Sequence, residues 1–219
     1  MNPILNLTRI KNAQKINLWQ FGNEILYKLC NDQFEHKIDK YILTKVLFIG
    51  RIYAAAVDRR KNKNKIQNDD FYIDGIIPVF KKSTLDKRLK KLKNMNVMDS
   101  NTIKYALETH NYLVNILQEI TDLNKRSFGS KYLYFHIPEM FFIYDSRVIK
   151  GIRKFKNKIP LEYQSILELD NIDSKYAKFY IKCFELKNQI TLKYGIYLTN
   201  REIDNLLITA VKNDSNSPI

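Results

Sequence analysis

Apolar residues recur at three- and four-residue spacing along most of the chain, the period of a helix with one buried face. Residues 13–29 are predicted as a first helix with Ile16, Trp19, Leu26 and Leu29 inward, and residues 37–58 as a second with Ile38, Ile42, Val46, Ile49 and Tyr53 on one stripe. The stretch from Phe71 to Phe80 is the one segment whose pattern allows an extended strand, although Pro78 argues against a central one. A short helix follows, with Ser83 as its cap. Residues 100–123 give the clearest helical stripe, through Ile103, Ala106, Leu107, His110, Val114, Leu117 and Ile120. Residues 174–194 form another, with Tyr176, Phe179, Tyr180, Cys183 and Ile190 inward and Gly195 as its stop. Thr199-Asn200-Arg201-Glu202 reads as a capping box, with Leu198 and Ile203 as the hydrophobic staple of the last helix. The pattern therefore predicts an all-α fold of about eight helices. It is expected as a single domain over 1–219, built as two helical lobes with the site between them, and with a frayed tail over 213–219.

Composition narrows the class of protein. Within 219 residues there are 6 Gly and 5 Pro, and 45% hydrophobic against 27% charged residues, which suits a folded globular chain rather than a disordered one. The net charge of +14 directs attention to polyanions, nucleic acid first. Part of that charge accompanies a general abundance of Lys, Asn and Ile and reads as a solvated surface. Basic residues concentrate in three places: the loop Arg59 to Lys65, the segment Lys81 to Lys93 with seven cations and one acid, and the run Arg147, Lys150, Arg153, Lys154, Lys156 and Lys158. The two cysteines, Cys30 and Cys183, exclude a disulfide scaffold and a four-cysteine cluster. The N-terminus shows no signal-peptide pattern, and no apolar run approaches the ~20 residues of a membrane span. The expectation is a cytoplasmic monomer that uses no membrane, no metal and no cofactor.

The candidate chemistry lies between Arg126 and Val148. A helix is expected to end near Leu123, followed by a tight turn containing Gly129, a short apolar helix and a further helix opened by Asp145. Such a hairpin can direct backbone N–H groups at a DNA phosphate. Gly129-Ser130-Lys131 and Asp145-Ser146-Arg147-Val148, together with the block from Lys45 to Arg60, resemble the helix-hairpin-helix (HhH-GPD) DNA glycosylases, in particular a divergent bacterial branch similar to 8-oxoguanine DNA glycosylases. Ser127 stands where that family's first hairpin glycine would be, and the Lys–Asp spacing is shorter than in its better-known members.

The resemblance implies double-stranded DNA as partner, Lys131 as the amine that attacks the sugar and Asp145 as the essential carboxylate. The residue chemistry agrees with it. Base excision develops positive charge on the sugar, which a carboxylate stabilises, and a lysine can form a Schiff base if burial frees its amine. On this reading Arg51, Tyr53, His136 and Tyr144 are candidates for the base pocket. Arg59, Arg60, Ser127, Gly129, Ser130, Arg147, Lys150, Arg153 and Lys154 are candidates for DNA contact. Arg51, set in an apolar stretch, calls for a buried carboxylate partner or a substrate role. The substrate suggested is an oxidised purine, in DNA repair, or a hypermodified phage base, in antiviral defence. The alternatives are a non-catalytic nucleic-acid binder of the same fold and an interaction module whose charge only keeps it in solution.

Overall fold

The structure is a computed structural model that describes residues 5–15, 18–59, 68–95 and 97–212. Among them every regular element is a helix. The first three are α1 (Leu7–Ala13), α2 (Leu18–Asp32) and α3 (Asp39–Ile52). Then comes a continuous run of α4 (Asn68–Asp70), a π-helical segment (Phe71–Ile76) and α5 (Ile77–Lys82). These are followed by α6 (Leu85–Lys93), α7 (Ser100–Thr121), α8 (Arg126–His136), α9 (Ser146–Phe155), a 3-10 turn (Leu161–Tyr163) leading into α10 (Gln164–Leu167), α11 (Ser174–Tyr194) and α12 (Asn200–Lys212). The segments outnumber the roughly eight expected. No helix of the described residues is long and apolar enough to cross a membrane. Arg60, Ile16 and the tail from Asn213 lie outside the described residues, as does the side chain of Trp19.

Several boundaries fall where the residues require them. Asp99 caps α7 by accepting from Thr102 N at 2.8 Å. Gly195 takes the left-handed conformation, φ 64°, that ends α11. Thr199 and Glu202 bond each other's backbone N–H reciprocally at the start of α12, and Leu198 and Ile203 are both buried beside them.

The stretch 71–80 is helical, not extended. Phe71, Ile76, Ile77 and Phe80 all point into the core. The wider π-turn keeps Phe71 and Ile76 on one face although they are five residues apart, and Pro78 stands where the π-turn passes into α5, its missing N–H interrupting the ladder there. The helix expected over 37–58 ends at Ile52 because the chain folds back on itself. Ala54 is left-handed (φ 51°), and a Cβ on Gly50 would stand 3.2 Å from Ala56 Cα. Ile38, predicted inward, is half exposed and only precedes α3.

Two apolar cores result. One gathers α2, α3, the π segment, α5, α6 and most of α8, and the other gathers α1 and α9 to α12. α7 serves both, giving Ala106, Leu113 and Leu117 to the first and Ile103 and Leu107 to the second. In the second core α9 and α12 cross at backbone contact. A Cβ on Gly151 would lie 2.3 Å from the Leu207 carbonyl oxygen.

A polar chain threads the first core. Asp86 bonds His36 Nδ1 at 2.5 Å, and His36 Nε2 meets the Tyr132 hydroxyl at 2.7 Å. The fully buried Lys45 donates to the Gln33 carbonyl at 2.8 Å and meets His136 Nε2 at 3.3 Å. His136 in turn donates from Nδ1 to the Tyr132 carbonyl.

Candidate functional site

A cleft of about 390 Å³ opens where the two cores meet. Its walls are the end of α1 with Asn12 and Lys15, the end of α3 with Ile52 to Ala54, the entrance to α9 with Asp145 and Arg147, and the face of α12 with Arg201, Asp204 and Asn205. Asp145 occupies the N-cap of α9 in extended backbone. Its Oδ1 accepts from Arg147 N at 2.9 Å and Val148 N at 3.1 Å, while Oδ2 lies 3.9 Å from the Arg147 guanidinium. One oxygen is thus spent on the helix, and the residue lines the cleft.

Lys131 is buried, 3% exposed, in the middle of α8. Its Nζ donates to the Tyr53 carbonyl at 3.2 Å and to Ser127 Oγ at 3.0 Å. Burial draws its pKa below the ordinary lysine range, against the opposing pull of Asp145 and Asp204. The left-handed turn at Ala54 follows the Tyr53 carbonyl directly, so the strained rim of α3 carries the acceptor that holds this amine. Ala54 also lines a smaller cavity of about 250 Å³ on the other side, with Ser127, Lys125 and Arg59.

The residues that sequence reasoning missed are on α12. Asp204 is 5% exposed, its Oδ2 accepts from Arg201 Nη1 at 2.6 Å, and its buried Oδ1 has no hydrogen-bond partner. Burial, only partly offset by Arg201, pushes its pKa up to about 6. An acid on the inner stripe of an amphipathic helix, between the buried Ile203 and Leu206, was the available signal.

The remaining candidates separate. Tyr53 lines the cleft, and its hydroxyl donates to Asn23 Oδ1. Arg147 stands exposed at the mouth, with Lys150 and Arg153 exposed further along α9 and Lys154 turned toward the Ala210 carbonyl at 3.0 Å. Arg51 is not buried. Its side chain is 68% exposed and only 4.0 Å from Asp58, because α3 has reached its exposed end there. His136 is no part of the cleft, being fixed between Tyr132 and Lys45 in the first core. Tyr144 turns its ring onto Phe179, perpendicular at 5.1 Å, and toward α11 rather than the cleft.

Gly129 and Ser130 are not in a turn. The turn between α7 and α8 is at Asp122 to Lys125, with Asp122 left-handed, and both residues lie buried within α8. The Gly129 N–H is bonded to the Lys125 carbonyl, and its missing Cβ lets α8 approach Val114 and His110 of α7. Ser130 Oγ accepts from Tyr144 N at 2.9 Å. Neither can reach a phosphate, whereas Ser127 and Phe128, just before the triplet, border the smaller cavity.

The segment from Lys81 to Lys93 is largely engaged within the fold. Lys81 pairs with Asp39, Lys90 with Glu35, and Arg88 and Lys91 lie over the rings of Tyr112 and Tyr105. Among the described residues no group of His, Cys, Asp and Glu could hold a metal ion. The chain matches no protein-family model, no curated protein and no solved structure.

Proposed function

We propose that this chain is a DNA glycosylase of helix-hairpin-helix type that excises a damaged or modified base from double-stranded DNA. The observation that carries the reading is a desolvated amine, Lys131, held in the field of two carboxylates, Asp145 and Asp204, that line a cleft whose mouth is flanked by the basic face of α9. In this mechanism the flipped nucleotide enters the cleft. The neutral Lys131 amine forms a bond to C1′ as the C1′–N bond to the base breaks, the bonding pair leaving with the base. The Asp145 carboxylate offsets the positive charge on the sugar and takes the proton shed by the attacking nitrogen. Loss of the ring-oxygen bond then gives a Schiff base, from which strand cleavage can follow. Phosphates run along Arg147, Lys150 and Arg153. The substrate is an oxidised purine or a hypermodified phage base, serving repair or antiviral defence respectively.

Incubation with a panel of modified duplexes and phage DNAs, followed by an assay for abasic sites, tests the reading. Borohydride is expected to trap a covalent adduct, and Lys131→Gln to abolish both trapping and strand cleavage. Trapping that survives Lys131→Gln would move the active site elsewhere. Salt-dependent DNA binding with no base released from any substrate would favour a non-catalytic binder.

A further inference from the structure

Lys15, Arg201 and Asn205 line two cavities at once. One is the cleft that holds Asp145. The other, of about 400 Å³, opens beside it between α2, the end of α8 and the entrance to α12. Both volumes lie in the range of small-ligand sites, about 300–1,000 Å³. The partition they share carries two cations and no acid. Every carboxylate of the walls lines one cleft alone, Asp145 and Asp204 the first, Glu139 and Glu202 the second. Lys15 is exposed, and its ammonium makes no ion pair among the described residues. Arg201 gives Asp204 a hydrogen bond from Nη1 at 2.6 Å and keeps the other N–H donors of its guanidinium.

The second cleft holds unspent donors and aromatic rings. Asn23 is 2% exposed, its Oδ1 accepts from the Tyr53 hydroxyl, and its amide nitrogen makes no hydrogen bond among the described residues. The hydroxyls of Tyr27 and Tyr134 meet at 2.5 Å, a contact that uses one of their two protons and leaves the other free for a ligand. Tyr197 stands 69% exposed in the same wall, with the Lys187 ammonium 4.4 Å from its ring centre. Donors and an open ring suit a nucleoside, whose base stacks on an aromatic face and whose heteroatoms accept hydrogen bonds. We propose that the two clefts take consecutive nucleotides of one strand, with the phosphate that joins them held at the partition by Lys15 and Arg201. The inference rests on the reading of the first cleft as the receptor of a flipped nucleotide. It assigns the form of the substrate: DNA opened over two adjacent positions, in a bubble or a loop, rather than a duplex opened at one base pair.

Binding of dinucleotides to the intact protein tests this without any bond being broken. The probes are the four deoxydinucleoside monophosphates of like base, their uncharged methylphosphonate analogues and the four deoxynucleosides, titrated by calorimetry or NMR. At least one dinucleotide is expected to bind about tenfold tighter than both its methylphosphonate and its nucleoside, the worth of one charge-assisted hydrogen bond. Lys15→Gln is expected to narrow the gap between the charged and uncharged linkages. Tyr197→Ala, which alters the second cleft alone, is expected to weaken the dinucleotide about fivefold or more. The linkage comparison uses unaltered protein, so it holds even if a variant folds poorly. Equal binding of the two linkages, a dinucleotide no tighter than its nucleoside, or no binding of any probe would overturn the inference. Base release from a fully paired duplex as fast as from the same base in a two-nucleotide bubble would remove this inference and leave the glycosylase reading intact. A dinucleotide preference without excision from any DNA would do the reverse.

Discussion

Among the described residues two lysines are buried, and their surroundings give them opposite roles. Lys45 is completely enclosed, and burial pulls its pKa down to about 8. It nonetheless earns its position by serving the Gln33 carbonyl and approaching those of Phe34 and Glu35, just past the end of α2. Lys45→Met strips these acceptors of a charged donor in a closed site. It is expected to lower stability by about 3 kcal/mol, read from the urea midpoint. Lys131 holds one backbone carbonyl, that of Tyr53, a residue that lines the cleft, and the Ser127 hydroxyl. Lys131→Met removes a desolvated amine whose backbone acceptor belongs to a residue on the cleft wall. Stability is expected to stay within about 1 kcal/mol of wild type, while the proposed base release is lost. A drop at Lys131 as large as that at Lys45 would mark Lys131 as a structural residue.

Among the elements, the α9–α12 crossing sets the shape of the site, because α9 carries Asp145 and Arg147 and α12 carries Arg201 and Asp204. Gly151 permits that crossing. Gly151→Ala would drive a methyl group into the Leu207 backbone, which has no flexible end to move aside. The expected cost is about 3 kcal/mol in thermal or urea unfolding, with loss of the proposed base release in the fraction that remains folded. A near-neutral Gly151→Ala would mean that the two helices stand further apart.

This crossing was not legible in the chain, since a glycine in a helical pattern gives no hint of its neighbour. Legibility followed whether local chemistry decided the structure. The capping box at Thr199, the stop at Gly195 and the stripe of α7 act within a few residues, and each appears as the pattern predicts. The segment 71–80 was misread because an inserted π-turn breaks the simple helical period. Gly129 looked like a turn glycine because its use, contact with α7, depends on a residue fifteen positions earlier, Val114. In the site, Lys131 and Asp145 were visible as a resemblance. Arg201 and Asp204 carry no motif, and their pairing with the cleft depends on a crossing that only the fold supplies.

At the scale of the whole molecule, all three histidines are buried, and burial is the leading cause of lowered pKa in each: His36, His110 (to about 4) and His136. The folded protein therefore binds fewer protons than the unfolded chain below the ordinary histidine pKa of about 6.5. Stability is full above that value and falls as pH drops through the window from about 6.5 toward about 4. Urea midpoints measured between pH 7 and pH 5 are expected to fall steeply, and a flat profile would mean that the histidines are protonated in the native state.

The sharing of α7 between the two cores has a consequence for how the protein opens. Each core holds one thiol, Cys30 in the first and Cys183 in the second. Both are fully enclosed and burial pushes both pKa values upward, that of Cys30 to about 12. Neither can be alkylated until its core comes apart, so the two sulfurs act as independent clocks on the two halves. Were the halves separate, each clock would run at its own rate. A helix that lends side chains to both ties their fates together, since unravelling α7 on one side withdraws Ile103 and Leu107 or Ala106, Leu113 and Leu117 from the other. In mild urea with excess iodoacetamide, Cys30 and Cys183 are expected to be modified at the same rate, with doubly labelled and unlabelled chains in the mass spectrum and few carrying a single label.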